Sequence, residues 1–188
     1  MKIFTVRHGE TDWNAQRRLQ GHSDIPLNEM GLQQAENLGL RLAKEKIDII
    51  YSSDLLRAAN TARAIASHHN AEVVTSSRLR EKSFGIYEGR LIDEVYEDID
   101  WDFPDGGEHV DAAFARIQGY LDEITASGYE NIAIVGHYGS VTACICYFLK
   151  LPTCERMKFE VGNTAIHSFE LDANGKWSMT LENDISHL

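Results

Sequence analysis

Three short runs of β-branched and other apolar residues, each ending in a polar cluster, constrain the fold more than any other feature of this chain. Lys2-Ile3-Phe4-Thr5-Val6 breaks into polar residues from Arg7 to Asn14, Asp48-Ile49-Ile50-Tyr51 into Ser52-Ser53-Asp54, and Asn131-Ile132-Ala133-Ile134-Val135 into Gly136-His137. Runs that are apolar on both faces and bounded by polar residues read as buried strands. Helical patterns separate them. A helix begins at Asn28, a capping residue, with Glu29 in its first turn and Ala35, Leu38 and Leu42 at helical spacing, and it ends near residues 44–46. Ser52, Ser53 and Asp54 are N-cap candidates for a helix through Leu55, Ala59, Ala62 and Ala66. Val110, Phe114, Ile117, Leu121 and Ile124 form the clearest amphipathic stripe, and a hydrophobic helix runs to Leu149 after residues 136–139. A further strand is expected at residues 72–75, and residues 165–171 and 177–181 read as a hairpin. Strands alternating with helices predict an α/β fold: a three-layer α/β/α arrangement with a mostly parallel central sheet, in a single domain over residues 1–188.

Charge narrows the function classes. Of a net −11, residues 88–111 alone carry −9, ten acids against Arg90, with a turn at Pro104-Asp105-Gly106-Gly107. This segment reads as an acidic excursion near the active site. Nucleic-acid binding needs clustered Lys and Arg, which the sequence lacks. No apolar run approaches the ~18–20 residues of a membrane span, and Arg7, His8 and Glu10 leave no signal-peptide core, so a cytoplasmic protein with no membrane partner is expected. Cys144, Cys146 and Cys154 are an odd number without zinc spacing, and the first two read as small buried hydrophobes.

In open α/β sheets ligands sit beyond the carboxyl ends of the strands. A single histidine there is usually a hydrogen-bonded loop residue, but here Arg7-His8 and His137 both follow strands, and Arg57 sits in the first turn of a helix that follows another. Two arginines and two histidines at one point suit a dianionic phosphoryl group, because guanidinium offers paired hydrogen bonds and a helix N-terminus adds N–H donors. Such a pocket keeps imidazole neutral, as a nucleophile requires. A carboxyl beside a phosphate dianion can hold the proton a leaving alkoxide needs, and Glu81, in a loop after a short strand, is the candidate.

The residues as a set resemble the histidine phosphatase family, the phosphoglycerate-mutase-like fold group. Arg7-His8-Gly9-Glu10-Thr11 with Asn14 resembles its nucleophile motif, and Leu19-Gln20-Gly21-His22-Ser23-Asp24 the segment leading to the first helix. Ser52-Ser53-Asp54-Leu55-Leu56-Arg57-Ala58 resembles the second arginine motif, Leu79-Arg80-Glu81-Lys82-Ser83-Phe84-Gly85 with Glu88-Gly89 the acid/base loop, and Val135-Gly136-His137-Tyr138-Gly139 the second histidine motif. The resemblance implies His8 as nucleophile forming a phosphohistidine. It implies Arg7, Arg57 and His137 as phosphoryl ligands, Glu81 as proton donor and then base, and Asn14, Gln20 and Gly21 completing the pocket. No metal and no cofactor are implied. Gly136 and Tyr138 depart from the family's usual serine and glycine, and Tyr138 could narrow the pocket or offer its hydroxyl to substrate.

Mutases of this family carry a longer basic insertion, whereas the segment here is short and acidic, a pocket roof that would repel a second phosphate unless its carboxylates face solvent. The expectation is therefore a phosphatase acting on small-molecule phosphate monoesters, similar to the α-ribazole-phosphate and broad-specificity branches. A cofactor-dependent phosphoglycerate mutase and a non-catalytic phospho-ligand binder are the alternatives. The C-terminal hairpin offers an edge for a homodimer. His68, His69, His167 and His187 read as surface or loop residues, and Glu108 and His109 have no assigned role.

Overall fold

The computed structural model describes residues 1–188. Strands β1 (Lys2–Arg7), β2 (Ile49–Ser53), β3 (Glu72–Ser76), β4 (Asn131–Gly136), β5 (Ile166–Leu171) and β6 (Trp177–Asp184) form one sheet in the order β3-β2-β4-β1-β5-β6. The first four strands are parallel; β5 pairs antiparallel with β1, and β6 with β5. Helices α1 (Asp12–Ala15), α2 (Glu29–Leu42), α3 (Leu56–Ala66), α4 (Ile92–Val95), α5 (Val110–Thr125) and α6 (Tyr138–Leu149) connect them.

The period-2 alternation of strand side chains divides the core into two layers. Ile3, Ile49, Tyr51, Ile132 and Ile134 face α5 and α6, where Phe114, Ile117, Leu121 and Ile124 of the predicted stripe are buried. Phe4, Ile50, Ala133 and Val135 face the other way, against Leu38 and Leu42 of α2 and Ala58, Ala62 and Ile65 of α3. Helices thus cover both sheet faces, as the sequence predicts. Each fully buried aliphatic or aromatic side chain contributes about 1.5–3 kcal/mol of transfer free energy.

Local details differ from the sequence reading where distant partners intervene. Asn28 caps α2 through Gly31 N–H as expected. The N-cap of α3, however, is Leu55, because Ser52 and Ser53 continue β2. The orphan N–H of Leu56 is satisfied by Asp24 from another loop at 2.7 Å, while Asp54 forms a bidentate pair with Arg80 at 2.7 and 2.6 Å. The polar stretch after β1 holds the short helix α1, capped by Thr11. Histidine 167 is fully buried in β5 rather than on the surface, and burial pushes its pKa down to about 4. Cys144 and Cys146 are buried on α6, and Cys154 is exposed.

The acidic excursion contains α4 and folds on its own apolar cluster of Leu19, Val95 and Ile99, bordered by Phe84, Ile92 and Trp101. Asp93, Glu94, Glu97, Asp98, Asp100, Asp102 and Asp105 are exposed. Glu88 and Glu108 turn inward instead. The charge excess therefore faces solvent, and the segment does not act as a negative roof that repels a second phosphate. No helix is long and apolar enough to cross a membrane.

The strand order positions the site. From β1 the chain moves to β2 and β3 through helices on one face, then returns through α5 on the other face to insert β4 between β1 and β2. The connections leaving β1 and β4 thus diverge to opposite faces and open a crevice beyond their carboxyl ends.

Candidate active site

Arg7 and Gly136 are register partners at the ends of β1 and β4, and His8 N–H donates to Gly136 O at 2.9 Å. This pairing sets His8 beside His137, with ring centroids 5.2 Å apart. All nine residues expected in the site, Arg7, His8, Asn14, Gln20, Gly21, Arg57, Glu81, His137 and Tyr138, line one cavity of about 230 Å³. Arg18, Leu19, Phe84 and Ile92 complete its wall.

The hydrogen bonds of the two imidazoles fix opposite tautomers. His8 Nδ1 lies 2.6 Å from Gly9 O, and a carbonyl only accepts, so Nδ1 carries the proton and Nε2 holds a free lone pair. Arg57 Nε donates to His137 Nδ1 at 3.2 Å, so there the proton is on Nε2, which is buried and has no partner in the chain. One ring presents a nucleophile and the other a hydrogen-bond donor. Burial holds both pKa values well below the ordinary histidine range, and the charges of Arg57 and Arg7 push in the same direction.

Arg57 is 1% exposed, yet its partners are all neutral: His137 Nδ1, Ser23 O at 2.7 Å and Gly21 O at 2.8 Å. Burial pushes its pKa down to about 10, opposed by Glu81. Arg7 donates to Val161 O at 2.7 Å and keeps a buried Nε without a partner. Buried cations with neutral partners are costly unless an anion joins them, so the cavity is built for negative charge. Asn14 and Gln20 each have the side-chain oxygen engaged with Thr11, at 3.0 and 3.1 Å from its hydroxyl.

The Glu81 side chain, from the loop after β3, reaches the N-terminus of α6. Gly139 N–H donates to its two oxygens at 3.1 and 3.0 Å, and Lys82 N–H to Oε1 at 2.9 Å. The Gly139 amide at the N-terminus of α6 is therefore taken by this carboxylate. The approach needs glycine, because a Cβ at position 139 would fall under 3.0 Å from Glu81 Oε1. Position 136 has a similar explanation: Ser140 Oγ occupies the space of a Cβ there and accepts from His137 N–H at 2.6 Å, so a hydroxyl from the next turn of chain fills the place of the serine usual at 136. The Tyr138 hydroxyl lies 3.9 Å from Met157 Sδ.

Three positioning groups escaped the sequence reading. Glu88 accepts from His22 N–H, Ser23 N–H and hydroxyl, the Ser83 hydroxyl and Phe84 N–H at 2.8–3.1 Å. Burial alone would raise its pKa, but these bonds hold it below the usual range. It ties the loop whose carbonyls hold Arg57 to the loop that carries Glu81. Arg116 of α5 pairs with Glu108 at 3.0 and 2.6 Å and donates to the carbonyls of Arg78, Arg80 and Glu81 at 3.0–3.4 Å. His22 Nε2 donates to Glu81 O at 2.9 Å. Glu88 closes the acid/base motif in the sequence, but nothing there singled out its role, and Glu108 and Arg116 become partners only when α5 packs below the loop.

Residues 3–185 match the model of the histidine phosphatase superfamily (branch 1). Phosphoglycerate mutase-like protein 4 of Arabidopsis thaliana is 37% identical over 202 residues, covering 100% of this chain and 86% of the relative. Phosphoserine phosphatase 1 of Hydrogenobacter thermophilus is 32% identical over 177 residues, covering 88% of this chain and 84% of the relative. Among solved structures, a putative α-ribazole-5′-P phosphatase from Escherichia coli superposes with a TM-score of 0.90 at 26% identity, covering 98% of this chain and 96% of that one.

Proposed function

The chain belongs to the histidine phosphatase superfamily (branch 1) and is a phosphatase, and we propose that it hydrolyses small phosphate monoesters through a phosphohistidine on His8 without a metal ion. The observation that carries this reading is the pair of opposed tautomers, a free lone pair on His8 Nε2 and a proton on His137 Nε2 in one cavity.

In the first step His8 Nε2 forms a bond to phosphorus, the P–O ester bond breaks, and the Glu81 carboxyl gives its proton to the leaving oxygen. The positive charge that develops on the ring is held by the Nδ1–H bond to Gly9 O. In the second step Glu81, now a carboxylate, takes a proton from water, the water oxygen attacks phosphorus, and the P–N bond breaks to release phosphate. Arg7, Arg57 and the His137 N–H are preorganised for the charge on the equatorial oxygens, which is the main contribution a protein makes to phosphoryl transfer. Asn14, Gln20 and Gly21 complete the phosphoryl site, and Arg18 on its wall adds a further positive charge. Relatives named for phosphoserine and α-ribazole-5′-phosphate support monoester hydrolysis as the reaction class.

The test is phosphate release from a panel of esters by EDTA-treated wild type and His8→Ala, with 3-phosphoglycerate isomerisation followed in parallel. Release by the wild type that vanishes in the variant is expected. Isomerisation as fast as release would select the mutase reaction, and activity only with added metal would remove the metal-free mechanism.

A further inference from the structure

A second cavity, of about 170 Å³, adjoins the phosphoryl pocket, and Glu81, Phe84 and Tyr138 belong to the walls of both. Its remaining wall is formed mainly by Ala113, Phe114 and Ile117 of α5, by Trp101 from the acidic excursion, and by Met157 at the mouth. We propose that this cavity receives the leaving group, and that the preferred esters carry an apolar group of about one ring, aromatic or branched aliphatic. The inference rests on the phosphatase reading above and specifies its substrate class.

Glu81 gives its proton to the ester oxygen, so the group beyond that oxygen lies beside Glu81, and the second cavity, which shares Glu81 with the phosphoryl pocket, is the adjoining space. Its size suits one ring, since an apolar cavity of about 150 Å³ accommodates benzene. Its lining is mainly apolar. Of the two cations on the wall, Arg156 pairs with Asp102 at 2.5 Å, while the buried Lys82 ammonium is turned to Trp101 O and lies 5.1 Å from the centroid of the Phe84 ring. A polyol would set its hydroxyls against the side chains of α5 without partners.

The test compares kcat/KM for benzyl phosphate, ethyl phosphate and O-phosphoserine in the wild type, Ala113→Phe and Met157→Glu. All three esters release an alkoxide, so leaving-group acidity does not set their order. Met157 is 70% exposed, so its variant keeps the fold even if the bulkier residue at position 113 does not. In the wild type, benzyl phosphate is expected to lead ethyl phosphate and phosphoserine by at least about tenfold, the scale of an apolar pocket contact. The folded variants should lower the benzyl value by about tenfold while ethyl phosphate stays within roughly twofold. Equal benzyl and ethyl values, a preference for phosphoserine, or a benzyl preference that survives in the folded variants would overturn the leaving-group assignment. Hydrolysis of none of the three would strike the phosphatase reading itself.

Discussion

Replacing Gly139 with alanine separates the chemistry of Glu81 from the stability of the fold. The added Cβ would fall under 3.0 Å from Glu81 Oε1 and 3.3 Å from its carboxyl carbon. Ordinary carbon–oxygen contact begins near 3.4 Å, so the carboxylate must retreat by about 1 Å, which a side-chain rotation supplies without moving the backbone. A misplacement of about 1 Å in a reacting group costs on the order of 100-fold in rate. In the same variant the retreating carboxylate weakens its bonds from Gly139 N–H, while alanine in the first turn of α6 gains up to about 1 kcal/mol of helix propensity over glycine, so the two effects offset and the melting temperature should change little. The loss should depend on the ester. An alkyl phosphate needs a proton on its leaving oxygen and should lose about 100-fold in kcat. Cleavage of p-nitrophenyl phosphate, whose leaving group is stable as an anion, should lose far less in a single-turnover measurement of the phosphorylation step. Equal losses on both esters would refute Glu81 as the proton donor, and full activity on the alkyl ester would refute the claim that its position is critical.

Two further predictions concern pH. Because burial holds His8 well below the ordinary histidine pKa of about 6.5, kcat/KM should show no acid limb at or above that value after correction for the ester's own ionisation near 6; a limb at about 6.5 or higher that disappears in no other histidine variant would contradict a buried neutral nucleophile. His167, pushed by burial from 6.5 to about 4, is a depressed group, so its contribution to stability is complete above about 6.5 and declines as pH falls toward 4, where the unfolded chain takes up a proton that the folded one refuses. His167→Gln should therefore flatten the acid-side decline in urea-unfolding free energy by about 1 kcal/mol at roughly pH 5.5, and parallel curves for the two proteins would dismiss the effect.

Much of the site was legible because it lies where the strands end. His8 and His137 follow β1 and β4 directly and Arg57 lies in the first turn of the helix after β2, so reading three apolar runs as strands also placed three of the proposed catalytic groups together. The groups that hold them were harder to read. Asp54, a plausible helix cap by local rules, is drawn away by Arg80, and the vacant capping position is filled by Asp24, 32 residues upstream of Leu56. Glu88 reaches 66 residues back to His22, and Arg116 reaches 35 residues back to Glu81, so both roles exist only once the sheet has brought their loops together. The net charge of the acidic excursion was plain from sequence, but its direction was not. Val95 and Ile99 fix which side of that segment faces inward, and the excess carboxylates then point to solvent. Burial of His167 was equally hidden, since a histidine in a strand carries no sign of which face will be covered.

The central claim is that phosphate passes through His8. The most direct test is rapid acid-free quenching of the EDTA-treated enzyme with a slowly turned-over ester, followed by mass spectrometry of the peptide that spans β1. The account predicts a phosphorylated His8, stable in alkali and labile in acid, which accumulates further in Glu81→Gln when the ester is p-nitrophenyl phosphate, whose leaving group needs no proton, so that only the attack of water is slowed. Phosphate on another residue, or rapid ester hydrolysis with no phosphoenzyme at any time point, would contradict it.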